Sequence, residues 1–229
     1  KIVGSLLQKG YFFQFWFFGA LMLIYICLPI LKKFLNSRRS YLYILSVLLV
    51  IGLIFELANI VLKMPIQTYV IQTFRLWTWF FYYLLGGFIA QFDKDIIKNR
   101  FKKWMKVVVV LLFLISPLIL FFLAKTTYHN FFAEYFYDIL FVKVVNLGIF
   151  LTILTLTVNE KRSECIVSLS NQTMGVFIIH TYIMKVWEKL FGFSFVGSYL
   201  LFAIFTLSVS FIIVGMLMKI PYFNRIVKL

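Results

Sequence analysis

The sequence predicts an all-α fold, a polytopic transmembrane helix bundle of about seven spans that forms a single domain over residues 1–229. Of the 229 residues, 63% are hydrophobic and 14% are charged, whereas a soluble domain is about 45–50% apolar. Continuous apolar runs of roughly 20 residues, the length that crosses a bilayer as a helix, recur along the chain. They lack the alternation of barrel strands, and a helix satisfies its own backbone groups in lipid.

The predicted spans, lettered A to G, are separated by short polar loops. They cover Tyr11–Leu31, Tyr41–Leu62, Phe74–Phe92, Trp104–Ala124, Tyr137–Val158, Val167–Leu190 and Phe195–Met218. The sequence begins at Lys1 rather than Met, and we expect it to be a fragment that lacks upstream spans.

Lysine and arginine are concentrated in the A–B, C–D and E–F loops and in the C-terminal tail, which fall on one side of a seven-span bundle. Because loops rich in these residues stay inside, we expect a multi-pass protein of the cell membrane with Lys1 outside and Leu229 in the cytoplasm. Orientation and anionic headgroups also account for the net charge of +15, so no nucleic acid is expected as a partner.

Ionisable and amide side chains occur inside the predicted spans, where a charge costs roughly 2.5–3.5 kcal/mol at the helix centre. They are Glu56, Arg75, Asp138, Lys143 and His180, with Gln14, Asn59, Asn146 and Asn171. Most lie in the outer half of their spans, which predicts one polar cavity that opens outward. The alternative is that Arg75, Asp138 and Lys143 reach the headgroups and that Glu56 pairs with one of them to hold the fold.

The C–D loop is the second candidate site, because its cations could bind the phosphates of a cytosolic donor such as a coenzyme A thioester. These residues are Lys98, Arg100, Lys102 and Lys103. Orientation and anionic lipid explain the same charges without a donor. The spacing of Cys27 and Cys165 indicates free thiols, and no metal site is predicted. The sequence has no GxxxxGK[ST], GxGxxG or HExxH motif, so it gives no support to nucleotide hydrolysis or zinc proteolysis.

Four stretches of the sequence together carry a recognisable pattern. QFWFFGALMLIYICLPIL (Gln14–Leu31) joins a Trp-containing start to a Tyr-x-x-x-Pro end, and RLWTWFFYYLLGGFIAQ (Arg75–Gln91) is an aromatic span that ends in a Gly-containing element. SLSNQTMGVFIIHTYIM (Ser168–Met184) has a Ser followed by Gly, an apolar residue, an aromatic residue, two apolar residues and His, and KIPYFNRIV (Lys219–Val227) places Pro after the final span. In this order the stretches resemble the membrane-bound acyltransferase 3 family over essentially the whole chain.

The resemblance implies a ten-helix bacterial enzyme of the cell envelope. Such an enzyme moves an acyl group, usually acetyl, from cytosolic acyl-CoA to a hydroxyl of a cell-surface or lipid-linked polysaccharide. Acyl-CoA is then a donor substrate and not a bound cofactor, and the partners are membrane lipid, the glycan acceptor and acyl-CoA. Loss of the first three spans would leave seven that start outside, in agreement with the loop charges.

The sequence departs from the family at its first span, where relatives carry an Arg and a His separated by about ten residues that this chain lacks. We therefore expect the chain to be inactive alone. O-acyl transfer needs a base for the hydroxyl proton and donors for the thioester oxyanion. We predict Glu56 and His180 as catalytic residues; the predicted substrate-binding residues are Arg75, Gln14, Trp16, Lys143 and Asn146.

Other functions fit the same polar cavity. A transporter or flippase of a lipid-linked sugar would use it, although broken helices paired in two halves would be its signature and the clearest mid-span proline is Pro117 alone. A glycan polymerase would need a larger outer loop, and a scaffold without activity remains open for this chain.

Overall fold

The computed structural model describes residues 2–9, 12–129, 133–192, 198–220 and 222. Within these ranges it contains ten α-helices and no strand, which confirms the all-α prediction. The helices are α1 (Ile2–Leu6), α2 (Trp16–Phe34), α3 (Arg38–Leu62), α4 (Leu76–Ile89), α5 (Lys94–Arg100), α6 (Lys103–Leu123), α7 (Leu140–Leu154), α8 (Glu160–Ser170), α9 (Thr173–Phe191) and α10 (Ser198–Leu217).

Among the residues that the structure describes, three helical stretches are long and apolar enough to cross a membrane, namely Phe13–Phe34, Arg38–Leu62 and Lys103–Tyr128. They correspond to the predicted spans A, B and D. Shorter apolar helices over Leu76–Ile89, Leu140–Leu154 and Leu201–Leu217 correspond to spans C, E and G. Helix α6 buries none of its residues and is apolar on every face, as expected of a helix solvated by lipid.

The predicted span F does not form one continuous helix. Val167 belongs to α8, a turn follows at Asn171 and Gln172, and α9 begins at Thr173. The polar run Ser170–Gln172 explains the break, because Ser and Asn side chains compete with the helical backbone for hydrogen bonds. The count of seven spans stays a prediction.

The chain divides into two compact units, Lys1–Leu156 and Thr157–Leu229. In the first, α3 packs on α4 through a core of Leu45, Phe81 and Leu84. In the second, α9 packs on α10 around Val176 and Val214. The prediction of a single domain stays a prediction.

Three irregular connections at one end of the first unit position its polar residues. Short 3₁₀ turns over Ile66–Tyr69 and Gln72–Phe74 join α3 to α4, and another over Ala133–Asp138 leads into α7. Helix α3 ends at Lys63, which has a left-handed conformation with φ of 54° and so redirects the chain. The C-terminus of α3 and the N-termini of α4 and α7 therefore border the same set of connections.

Candidate functional site

Polar side chains predicted from separate spans are brought together at this end of the first unit. Asn59, Arg75, Asp138 and Lys143 are each no more than 4% exposed. Gln14, at the start of α2, is buried as well. Burial at this level excludes the alternative in which Arg75, Asp138 and Lys143 extend to headgroups.

Asp138 is the centre of the polar cluster. Its carboxylate accepts hydrogen bonds from Trp77 Nε1 at 2.7 Å and from the Thr78 hydroxyl, and Lys143 Nζ lies 3.4 Å from Oδ1. The same ammonium donates to the Asp138 backbone carbonyl at 2.6 Å. Gly52 of α3 makes room for it, because a Cβ there would lie 2.5 Å from Nζ. The ammonium of Lys143, which was predicted to bind substrate, is thus held by Asp138 inside the protein.

Glu56 reaches the N-terminus of α7. Its Oε2 accepts a hydrogen bond of 2.9 Å from the backbone N–H of Leu140, the first residue of that helix. A carboxylate is favoured there because it satisfies an orphan donor and interacts with the helix dipole. This contact gives Glu56 a structural role beside the catalytic one predicted from the sequence.

Arg75 organises the connection between α3 and α4. Its Nε donates to Val70 O at 2.9 Å, and one terminal nitrogen donates to Gln67 O at 2.8 Å. Asn59 Nδ2 also donates to Gln67 Oε1 at 2.8 Å, and Asn59 Oδ1 accepts from Ile66 N. The predicted substrate-binding arginine therefore holds two carbonyls of the connection, of which Gln67 O also accepts from Val70 N at 3.1 Å.

Aromatic residues lie beside the polar cluster. Trp16, predicted to bind substrate, stacks on Trp79 with ring centroids 4.9 Å apart. Trp79 Nε1 donates to Gln72 O at 2.7 Å, and its ring lies 5.7 Å from that of Tyr137. Both indoles are half-buried, so the pair combines a fixed orientation with an accessible edge.

Tyr82 and Asn146 connect the polar cluster with a groove. The Tyr82 hydroxyl donates to Tyr137 O at 3.1 Å and accepts from Asn146 Nδ2 at 3.4 Å. Sequence reasoning singled out Asn146 and missed Tyr82, because a tyrosine in an aromatic span reads as a packing residue. Both side chains line a cavity of about 260 Å³ that also includes Gly86.

This cavity belongs to a groove between α4 and α7. Its walls are otherwise apolar: Leu85, Ile89, Leu147 and Phe150. A neighbouring cavity of about 530 Å³ shares Leu85, Ile89 and Leu147 with it and is also lined by Arg38 and Arg100. We call the two together the α4–α7 groove; it has arginines at one end and the Tyr82–Asn146 pair at the other.

The predicted phosphate-binding residues differ in their relation to the groove. Arg100, in the last turn of α5, lines it, whereas Lys98, Lys102 and Lys103 are exposed on the surrounding surface. Arg38 was missed as a candidate; its guanidinium donates to Gln91 O at 3.2 Å and lies 5.0 Å from the Phe92 ring centroid. Its place in the basic A–B loop was the only signal in the sequence.

His180 lies on α9 of the second unit, half-buried. Its Nδ1 is 2.7 Å from Phe177 O and 3.2 Å from Val176 O. Because a carbonyl only accepts, Nδ1 carries the proton when the ring is neutral, which leaves Nε2 as the basic nitrogen. This tautomer is compatible with the predicted role as a base, and that role stays a prediction.

Metal ligation finds no support in the part of the chain that the structure describes, where no group of three or more His, Cys, Asp or Glu residues could hold an ion. Cys27 is half-buried, Cys165 is exposed, and both are free thiols.

The chain matches a known protein family over most of its length. The family model described as an acyltransferase domain, acyltransferase 3, matches residues 2–215. No curated protein and no solved structure matches the chain significantly. The match extends over both units and confirms the family resemblance; of the four stretches it includes the first three, whereas Lys219–Val227 lies beyond it.

Proposed function

The chain belongs to the acyltransferase 3 family of membrane acyltransferases, and we propose that the full-length protein containing this domain moves an acyl group from cytosolic acyl-CoA to a hydroxyl of a cell-surface or lipid-linked polysaccharide. The observation that supports this most strongly is the α4–α7 groove, which joins a cationic end to a polar end through apolar walls. Acetyl is the acyl group expected from the family resemblance.

The donor's phosphates bind at the cationic end. Arg100 contributes a guanidinium at the rim of the groove, and the exposed Lys98, Lys102 and Lys103 add positive charge around it. Guanidinium groups bind phosphate through paired, charge-assisted hydrogen bonds, and the surrounding field draws a polyanion to the opening. In the predicted orientation this end faces the cytoplasm, where acyl-CoA is available.

The donor's arm follows the apolar walls toward Tyr82 and Asn146. Between Ile89 and Tyr82 the helix advances about 10 Å, at roughly 1.5 Å per residue. An arm that runs from the basic end along this stretch of the walls brings the thioester to the half of the bundle that holds the polar cluster. Gly86 lies midway, and a Cβ added there would meet nothing within 4 Å, so this wall is open.

In the transfer step, the acceptor hydroxyl oxygen attacks the thioester carbonyl carbon. The new C–O ester bond forms, the C–S bond breaks, and the hydroxyl proton passes through a base to the departing thiolate, which leaves as free coenzyme A thiol. Glu56, in the first unit, is the candidate for that base. The half-buried pair of Trp16 and Trp79 offers an aromatic surface for a sugar ring.

Obstruction of the groove tests this proposal. We expect Gly86→Leu to raise the KM for acyl-CoA at least tenfold in membranes assayed for transfer of radiolabelled acyl group to envelope glycan. The matched control is Ala90→Leu, which places the same leucine side chain at an exposed position at the end of the same helix, outside the groove. Equal kinetics for both variants would contradict the proposal. Glycan movement across the membrane without acyl transfer would favour a flippase instead.

A further inference from the structure

The Tyr82–Asn146 pair is held by a continuous chain of contacts that begins at the buried ion pair. Lys143, Trp77 and Thr78 fix Asp138. Asp138 directly follows Tyr137, whose backbone carbonyl accepts the Tyr82 hydroxyl proton at 3.1 Å. The carbonyl is therefore anchored by a neighbouring residue that is 3% exposed and has several hydrogen bonds.

The direction of these hydrogen bonds determines what the pair can offer to a ligand. The Tyr82 hydroxyl donates its only hydrogen bond to Tyr137 O and accepts one from Asn146 Nδ2 at 3.4 Å. An amide nitrogen carries two protons, and one of them is used in this contact. Asn146 is exposed and lines the groove, so its second N–H is available to an acceptor there.

We propose that Asn146 is a catalytic residue that donates a hydrogen bond to the thioester carbonyl oxygen, and that Tyr82 is the positioning residue that orients its amide. This inference rests on the proposed function and adds the group that steadies the developing oxyanion. A donor fixed before the reaction stabilises that charge without reorganisation during the step. The thioester carbonyl is the group of the donor on which negative charge develops during the transfer.

Asn146 stabilises the charge that forms on the carbonyl oxygen during the step. As the hydroxyl oxygen attacks, the carbonyl π pair moves onto oxygen and the Asn146 N–H bonds to that anion. The electron pair then returns from oxygen and re-forms the C=O bond. The electrons of the broken C–S bond leave with sulfur. Asn146 keeps both of its protons throughout, so a neutral amide suffices and no cofactor is needed.

Four variants test the assignment in membranes that contain the full-length protein. We expect Asn146→Ala to lower kcat by about 10²–10³-fold, the loss typical of a missing oxyanion donor. Tyr82→Phe keeps the ring and removes the hydroxyl, and we expect it to lower kcat roughly tenfold, the size of one ordinary hydrogen bond, with KM for acyl-CoA unchanged. The double variant should be no slower than Asn146→Ala alone. The matched control Tyr83→Phe removes a hydroxyl that has no hydrogen bond in the described part of the chain and should keep wild-type kcat.

The pattern of losses separates this inference from the proposed function. A Tyr82→Phe variant with full kcat would overturn the inference. A further tenfold loss when Tyr82→Phe is added to Asn146→Ala would overturn it as well. In both cases, acyl transfer by the wild type would still support the proposed function. An effect of Tyr82→Phe on KM alone would also overturn it, because positioning of a transition-state donor acts on kcat. Wild-type membranes that transfer no label would overturn the proposed function and this inference with it.

Discussion

Lys143 shows how a single residue determines the geometry of the polar cluster. Its ammonium lies against Asp138 and faces Gly52, where a Cβ would approach to 2.5 Å. We predict that Gly52→Ala destabilises the protein by about 1–3 kcal/mol, the usual effect of overpacking a filled interior. The measurement is the free energy of unfolding in detergent micelles.

The Lys143→Ala background supplies the control for this prediction. Removal of the lysine side chain removes the atoms that the new methyl group meets, so the effect of Gly52→Ala should shrink in that background. The same loss in both backgrounds would show that Gly52 is required for another reason.

The sequence located the polar residues but not their partners. Glu56, Arg75, Asp138 and Lys143 were expected to share one depth, and the structure brings them to one end of the first unit. Their partners are largely backbone groups of irregular connections, such as Gln67 O and Leu140 N. Such contacts depend on how a loop folds back, which composition and periodicity do not encode.

At the scale of elements, Glu56 links α3 to the start of α7. We predict that Glu56→Gln keeps the stability within about 0.5 kcal/mol, because an amide oxygen still accepts from Leu140 N. Glu56→Ala removes the acceptor and should lower stability by about 0.5–2 kcal/mol, as the loss of a helix cap does. Thermal unfolding in detergent measures both.

The acyl-transfer assay of the same two variants separates structure from catalysis. A base must lose and gain a proton, which glutamine cannot do. If Glu56 is the base, Glu56→Gln will be stable and inactive; full activity in this variant would remove Glu56 from the reaction and leave its role at α7.

Helix boundaries were predictable to different degrees. The ends of α3 agree well with span B, since Ser37 accepts a hydrogen bond from Ser40 N as an N-cap at one end and Lys63 terminates the other. Span F was wrong in its start, because Val167–Leu169 looked like the beginning of an apolar run. That short segment belongs to α8, which Asn159 caps by accepting from Arg162 N.

For the whole molecule, the account requires the A–B and C–D loops on one face of the membrane. The hydrogen bond from Arg38 to Gln91 O joins the A–B loop to the end of span C, next to the C–D loop. We predict that the single variants Asn36→Cys and Asn99→Cys, each in a background without Cys27 and Cys165, behave alike. Each should react with an impermeant maleimide only when the reagent has access to the cytoplasmic face of the membrane. A cysteine at Lys63 should react from the other face. Labelling of Asn36 and Asn99 from opposite faces would contradict the topology.

If the α4–α7 groove receives the acyl donor, a photoreactive acyl-CoA will label the walls of the groove. Membranes would be irradiated with an acyl-CoA that carries a diazirine near its thioester, and the modified peptides would be sequenced by mass spectrometry. The account predicts modification on α4 and α7 around Leu85, Leu147 and Phe150, suppressed by unlabelled acyl-CoA. Label confined to the lipid-facing helix α6, and unaffected by that competitor, would contradict it.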